Sequence, residues 1–280
     1  MTIEWIFYKF IGLFLPQFKH FRYYSGGYFS EKNGESIIVR YMGKEISCKT
    51  FGKKNKGNTI LNILCSGPSL NNIRGKDKLF DSDSLCMNGS HNISFSEHEV
   101  INYYVISDIG FIRRNWESFC SGVKKSKYLL FDHRVIREII GIDPEVLAGK
   151  NIYLFNLTTR PYRRRTDPST NKQCFSIDPE KGLNPSRTVA YLSLQIAVAL
   201  GYKDIRFFGM DLGGNRRFYA DPVNEKSMID QDYPFIEADF RFASQYCRQH
   251  GIIVTNASPN SRLPDDIFQK ADPDVILARV

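Results

Sequence analysis

The spacing of apolar and polar residues along the chain predicts strands alternating with helices. Residues 36–41 and 45–51 alternate with a period of two around Met42-Gly43-Lys44, the pattern of a hairpin. A polar stretch, residues 53–58, follows. Short runs rich in β-branched and aromatic residues then predict strands over 61–66, 84–88, 103–107, 128–131, 152–157, 205–209 and 252–256. Helical periodicity predicts helices over 109–120, 135–147, 188–200 and 234–250. This order implies an α/β, Rossmann-like fold: a mostly parallel sheet with helices on both faces. The polar stretch divides the chain into an N-terminal extension, residues 1–58, and a main domain, residues 59–280.

In such a sheet, ligands bind at the carboxyl ends of the strands. Four predicted strand ends carry polar residues suited to binding: Ser66-Gly67, Asn88-Gly89-Ser90, Ser107-Asp108 and Gly209-Met210-Asp211. Each is also ordinary turn chemistry, and it is their joint placement that points to one crevice. In Cys65-Ser66-Gly67-Pro68-Ser69-Leu70 the glycine permits close backbone approach. Pro68 suits a first helical turn, and Ser66 and Ser69 place hydroxyls beside helix-start N–H groups that suit a phosphate. Asn184-Pro185-Ser186-Arg187-Thr188 opens an apolar helix, either as a cap or as an anion seat. Gly213-Gly214-Asn215-Arg216-Arg217-Phe218-Tyr219 sets two arginines beside a tyrosine, a phosphate or carboxylate site or a solvated loop. Residues 158–182 have little periodicity and hold Arg160, Arg163, Arg164 and Arg165, which suit either an anionic acceptor or solvent.

Composition narrows the chemistry. The 280 residues carry a formal charge of +8, so the partner is expected to be anionic: nucleic acid, phosphorylated lipid, a membrane surface or an acidic sugar. No nucleic-acid module is recognisable, so a basic nucleic-acid-binding protein stands as the alternative of another class. The six cysteines form no CxxC pair, and the five histidines show no HxxxH or HExxH spacing. Those spacings imply a reducing, cytoplasmic location and no protein-held metal. Residues 3–15 are apolar but too short to span a bilayer, and Glu4 precedes any basic residue. Cations and aromatics mix over residues 18–24, which suits either a bilayer interface or a terminal helix docked on the domain's own core.

Read in order, these motifs resemble a known family. They are strand–Ser66-Gly67-Pro68-Ser69-Leu70, Cys86-Met87-Asn88, Thr188-Val189-Ala190, the run from Ile196 to Ile205, Phe208-Gly209-Met210-Asp211-Leu212, Phe218-Tyr219-Ala220-Asp221 and Ser258-Pro259-Asn260-Ser261. The set is similar to bacterial sialyltransferases that use CMP-activated sialic acid. Through Asn88-Gly89-Ser90, residues 105–108 and residues 209–219, it looks closer still to the lipopolysaccharide inner-core enzymes that add a third Kdo (3-deoxy-manno-octulosonic acid). The match runs from Thr59 to Leu263, and residues 1–58 lie outside it.

The resemblance implies an inverting transfer of Kdo from CMP-Kdo to the Kdo region of the inner core. It implies no metal and no cofactor beyond the CMP-Kdo donor. The implied acceptor is lipid A-linked Kdo, reached from the cytoplasm by a protein peripheral on the inner membrane. A sialyltransferase using CMP-sialic acid is the alternative within the enzyme class. Carried over by position, Ser66, Gly67, Pro68 and Ser69 lie against the nucleotide, with Gly209 and Asp211 at the neighbouring strand end. Asn88 and Asp108 contact the donor. Arg187 and Thr188 open the helix that faces the cytidine or its phosphate. Tyr219, with Arg216 and Arg217, meets the departing phosphate. The chain departs from the sialyltransferases in three places. Gly213 stands where they carry a second tyrosine, Asp108 where they carry an asparagine, and no histidine precedes the last long helix. A carboxylate is therefore expected to act as general base: Asp232, with Asp230 and Asp108 as alternates. Asp230 and Asp232 also suit capping of the helix expected to start near Pro234.

Overall fold

The structure is a computed structural model that describes residues 10, 27–51, 59–93, 100–158, 175–214, 216–219 and 228–278. Apart from Phe10, the apolar and aromatic stretch at 3–24 lies outside the described residues, as do the linker 53–58 and the arginine-rich run 160–165.

Eleven strands form one sheet in the order β1-β2-β3-β8-β7-β6-β5-β4-β9-β10-β11. They are β1 (Phe29–Asn33), β2 (Ser36–Tyr41), β3 (Lys44–Lys49), β4 (Ile60–Leu64), β5 (Asp83–Met87), β6 (Ile101–Ile106), β7 (Ser126–Asp132), β8 (Asn151–Phe155), β9 (Asp204–Phe208), β10 (Ile253–Asn256) and β11 (Gln269–Lys270). The first three are an antiparallel meander, and every other pairing is parallel. Lys49 of β3 pairs with Tyr153 of β8, so the hairpin region extends the same sheet.

The helices are α1 (Ile109–Arg114), α2 (Trp116–Lys125), α3 (His133–Ile142), α4 (Val189–Ala199), α5 (Ile229–Gln249) and α6 (Pro273–Leu277). The central strands are buried on both faces, which explains their near-continuous apolar runs. Ile63, Val105 and Phe207 face a core shared with Tyr191 and Leu194 of α4 and Phe240 of α5. Their neighbours Leu64, Ile106 and Phe208 face the opposite core, with Phe111 of α1, Phe119 of α2 and Ile136 of α3. Residues 190–197 of α4 are all buried, so this helix has no polar stripe.

Three expected helices differ in extent. The one over 109–120 breaks at Asn115, whose φ of −131° is not helical; this residue ends α1 and starts α2. The one over 135–147 begins earlier, at His133, beneath the Asp132 cap. It stops at Ile142 because Asp143 precedes Pro144 and takes an extended conformation, followed by a short 3₁₀ turn. The last long helix starts at Ile229 rather than near Pro234. Pro234 lies inside it, so Asp230 and Asp232 sit in its first turn rather than ahead of it. Strands β1 and β11 and helix α6 were not expected.

The topology locates the crevice. From β4 the chain steps outward through β5, β6, β7 and β8, then returns past β4 to β9. Connections therefore leave the sheet in opposite directions at the carboxyl ends of β4 and β9, and a gap opens there.

Candidate active site at the sheet's switch point

The loop after β4 is zipped to the end of β9. Cys65 N–H donates to the Phe208 carbonyl at 2.8 Å, and Gly67 N–H to the Gly209 carbonyl at 2.9 Å. A side chain on residue 67 has no room, because its Cβ would fall 2.5 Å from both Asp211 Oδ2 and the Gly209 carbonyl oxygen. Asp211 Oδ2 accepts from Ser69 N–H at 2.9 Å and so ties down the 3₁₀ turn that Pro68 begins. The other carboxylate oxygen, Asp211 Oδ1, is buried with no hydrogen-bond partner among the described residues.

These elements border a cleft of about 520 Å³, the size of an ordinary small-ligand site. Ser66 and Gly67 line it from β4, Asn88 from β5, Asp108 from β6, and Gly209 and Asp211 from β9. Arg187 and Thr188 line it from the start of α4, and Arg216 and Arg217 from the glycine-rich loop. Ten of the residues singled out in the sequence thus meet in one place. Thr188 caps α4, its Oγ1 accepting from Ala190 N–H at 3.3 Å.

Asn88 has a left-handed backbone, φ +48°, which an asparagine tolerates better than most residues. Its carbonyl accepts from the Tyr104 hydroxyl at 2.8 Å and lies 3.0 Å from His91 Nδ1. Its side-chain Oδ1 is buried without a partner among the described residues. Burial lowers the His91 pKa to about 4; the Asn88 carbonyl opposes the shift and Lys125 adds to it. The ring is therefore neutral at pH 7, with Nδ1–H donating to Asn88 and Nε2 facing the Ser118 hydroxyl at 3.4 Å.

Five singled-out residues do not line the cleft. Pro68 starts the 3₁₀ turn, and Ser69 Oγ faces Ser258 Oγ at 3.4 Å. The Tyr219 ring lies on Gly89, whose Cβ would come within 2.3 Å of it, and its hydroxyl accepts from Arg217 Nη1 at 2.9 Å. Asp230 pairs with Arg262 at 3.2 Å and is exposed. Asp232 is ion-paired with Arg187, which itself lines the cleft. The expected base and its first alternate are therefore not among the residues that line the cleft. The cleft-lining carboxylates among the described residues are Asp108 and Asp211.

Two cleft-lining arginines, Arg114 of α1 and Arg134 of α3, were not anticipated. Arg134 follows the end of β7 by two residues, whereas Arg114 lies eight residues past the end of β6. Arg114 falls within the helix expected over 109–120 and Arg134 just ahead of the one expected over 135–147, and both positions read equally well as solvated.

No family model matches the chain. Among curated proteins it is similar to the probable 3-deoxy-manno-octulosonic acid transferase of Escherichia coli (strain K12). The two are 24% identical over 258 residues, covering 82% of this chain and 88% of that protein. The chain resembles a Kdo transferase. Among solved structures, the MAf glycosyltransferase from Magnetospirillum magneticum AMB-1 superimposes with a TM-score of 0.50 at 14% identity. That match covers 80% of this chain and 37% of the other, so the chain spans little more than a third of that protein. The glycosyltransferase fold is shared. The sialyltransferase CstII from Campylobacter jejuni, in complex with a substrate analogue, cytidine-5'-monophosphate, gives a TM-score of 0.45 at 14% identity over 77% of this chain and 86% of that one. In this Kdo-transferase-like chain, Ser66, Gly67, Asn88, Asp108, Gly209 and Asp211 line the cleft from the strand ends.

Proposed function

We propose that this protein is an inverting, metal-independent glycosyltransferase that moves Kdo from CMP-Kdo to the Kdo region of the lipopolysaccharide inner core, at the cytoplasmic face of the membrane. The observation that carries the reading is the meeting of Gly67, Asp211 and the start of α4 at the β4/β9 switch point. A residue without a side chain, a helix N-terminus and the Arg216–Arg217 loop together suit a nucleoside monophosphate. Asp211 Oδ1 and Asn88 Oδ1, acceptors with no partner among the described residues, suit donor groups of a nucleotide and a sugar.

In this reading the acceptor hydroxyl oxygen attacks the anomeric carbon from the face opposite the phosphate. The carbon–oxygen bond to CMP breaks, and its electron pair leaves on the phosphate. Arg216, Arg217 and the first-turn N–H groups of α4 stabilise that developing charge. The hydroxyl proton passes to a carboxylate. We assign this role to Asp108, whose Oδ1 accepts from Gly110 N–H at 2.9 Å and whose side chain is about half exposed on the cleft wall. Tyr219, held by Arg217, positions that arginine for the phosphate.

The test is CMP release from CMP-Kdo in the presence of Kdo-bearing lipid A, with CMP-sialic acid as competitor. Release that needs the acceptor and is not inhibited by CMP-sialic acid supports the assignment. Preference for CMP-sialic acid replaces Kdo by sialic acid. Oligonucleotide binding without either activity removes the enzyme reading.

A further inference from the structure

The donor reading uses the cleft from β9 to β5 and leaves its far end unassigned. That end is built by the carboxyl termini of β6 and β7. At about 4.8 Å per strand, β6 and β7 stand roughly 10 and 14 Å from β4. A nucleotide seated at β4/β9 brings its sugar to Asn88 on β5, so β6 and β7 face the molecule that receives the sugar.

Two guanidinium groups line this end. Arg134 curls back over the start of its own helix. Its Nε donates to Asp132 Oδ1 at 3.1 Å, and its Nη2 donates to Asp132 Oδ2 at 2.8 Å and to the Ser107 carbonyl at 3.2 Å. Asp132 is buried, its side chain 3% exposed, and already caps α3 by accepting from Arg134 N–H and Val135 N–H. The cap is therefore complete without the guanidinium, and burying a carboxylate against an arginine carries a desolvation cost. What the pair achieves is a guanidinium of fixed plane on the cleft wall. Arg114 lines the same cleft, 3.6 Å from Asp108.

We propose that Arg114 and Arg134 form a carboxylate-binding subsite for an acidic acceptor sugar and set its hydroxyl beside Asp108. The planar Arg114 guanidinium matches a carboxylate in two parallel hydrogen bonds, and Arg134, fixed by Asp132 and Ser107, adds an oriented positive charge that loses little freedom on binding. The proposal rests on the glycosyl-transfer reading above. The anion it holds is the sugar carboxylate; a lipid phosphate is the other source of the same chemistry.

Arg114→Gln, Arg134→Gln and Arg134→Lys separate these cases. Each glutamine variant is expected to raise KM for Kdo-bearing lipid A about tenfold. The lysine variant is expected to fall between these and the wild type. KM for CMP-Kdo and the thermal shift with CMP are expected to stay at wild-type values. With the methyl ester of the acceptor, wild type and variants are expected to be equally poor. With dephosphorylated lipid A, the tenfold gap is expected to persist. Equal losses on acid and ester, no loss on the acid, or a gap that vanishes on dephosphorylation overturns the subsite. Should Arg134→Gln fail to fold, Arg114→Gln decides on the same readouts. A wild-type protein that CMP does not stabilise removes the donor reading and this subsite together, a result distinct from the acceptor effects.

Discussion

Arg187 and Asp232 are ion-paired, and the pair fastens the wall of the cleft to α5. Two further contacts share the task. The Arg187 guanidinium lies 4.0 Å from the centre of the Phe235 ring, and Ser186 Oγ donates to Asp239 Oδ2 at 2.6 Å. Asp232, Phe235 and Asp239 are spaced to share one face of α5. Ser186 has φ +47°, a left-handed conformation unfavourable for serine, and it immediately precedes the cleft residues of α4. The long helix thus holds a strained turn that aims the start of α4.

Asp232 is on this account a positioning residue rather than the base. Asp232→Asn is expected to weaken CMP binding about fivefold while leaving the pH dependence of turnover unchanged. Asp108→Asn is expected to lower turnover about a hundredfold and to leave CMP affinity intact. Kinetics of both variants across pH check this. A changed pH profile in the Asp232 variant returns the base role to that residue.

Gly67→Ala tests the cradle. The added carbon meets a carboxylate oxygen and a backbone carbonyl, both at 2.5 Å, and neither is the free end of a flexible chain. A stability loss of about 2 kcal/mol is expected, with loss of CMP binding at temperatures where the variant is still folded. Thermal melts with and without CMP measure both. A variant that melts and binds as wild type contradicts the close packing of Gly67 on Asp211.

Much of the site was legible because it follows strand ends. Ser66, Asn88, Asp108 and Asp211 each end an apolar run, and the crevice rule orders them without knowledge of the path between strands. What escaped depended on helix boundaries. Pro234 reads as a first-turn proline, yet α5 starts five residues earlier, which puts Asp230 and Asp232 in its first turn, outside the cleft lining. Arg134 reads as a solvated cation until Asp132 is seen to cap the helix beneath it. The ring of Tyr219 was expected in the cleft, but the absent side chain of Gly89 lets it pack against the turn instead.

His91 predicts a pH effect on stability. Its pKa is about 4 in the fold against 6.5 in the unfolded chain. Between those values the unfolded chain takes up a proton that the folded one refuses. Stability is therefore full above pH 6.5 and falls as the pH drops toward 4, by roughly 3 kcal/mol. His91→Gln is expected to flatten that part of the profile. Urea unfolding at pH 7, 5.5 and 4.5 measures it, and equal slopes in the two proteins contradict the assignment.

The aromatic and cationic stretch at residues 3–24 is expected to bind anionic membrane. Removing residues 2–24 is expected to reduce sedimentation with vesicles containing phosphatidylglycerol and to leave transfer to a water-soluble acceptor intact. Unchanged sedimentation contradicts it.

The central claim is that the strand ends around β4 and β9 grip a cytidine monophosphate. Titration of the wild-type protein with CMP, CDP, UDP and AMP, followed by thermal melting, tests it most directly. Selective stabilisation by CMP is predicted, about 2.7 kcal/mol at a hundredfold excess over Kd, and is lost in Gly67→Ala. Equal stabilisation by all four nucleotides, or none by CMP, contradicts it.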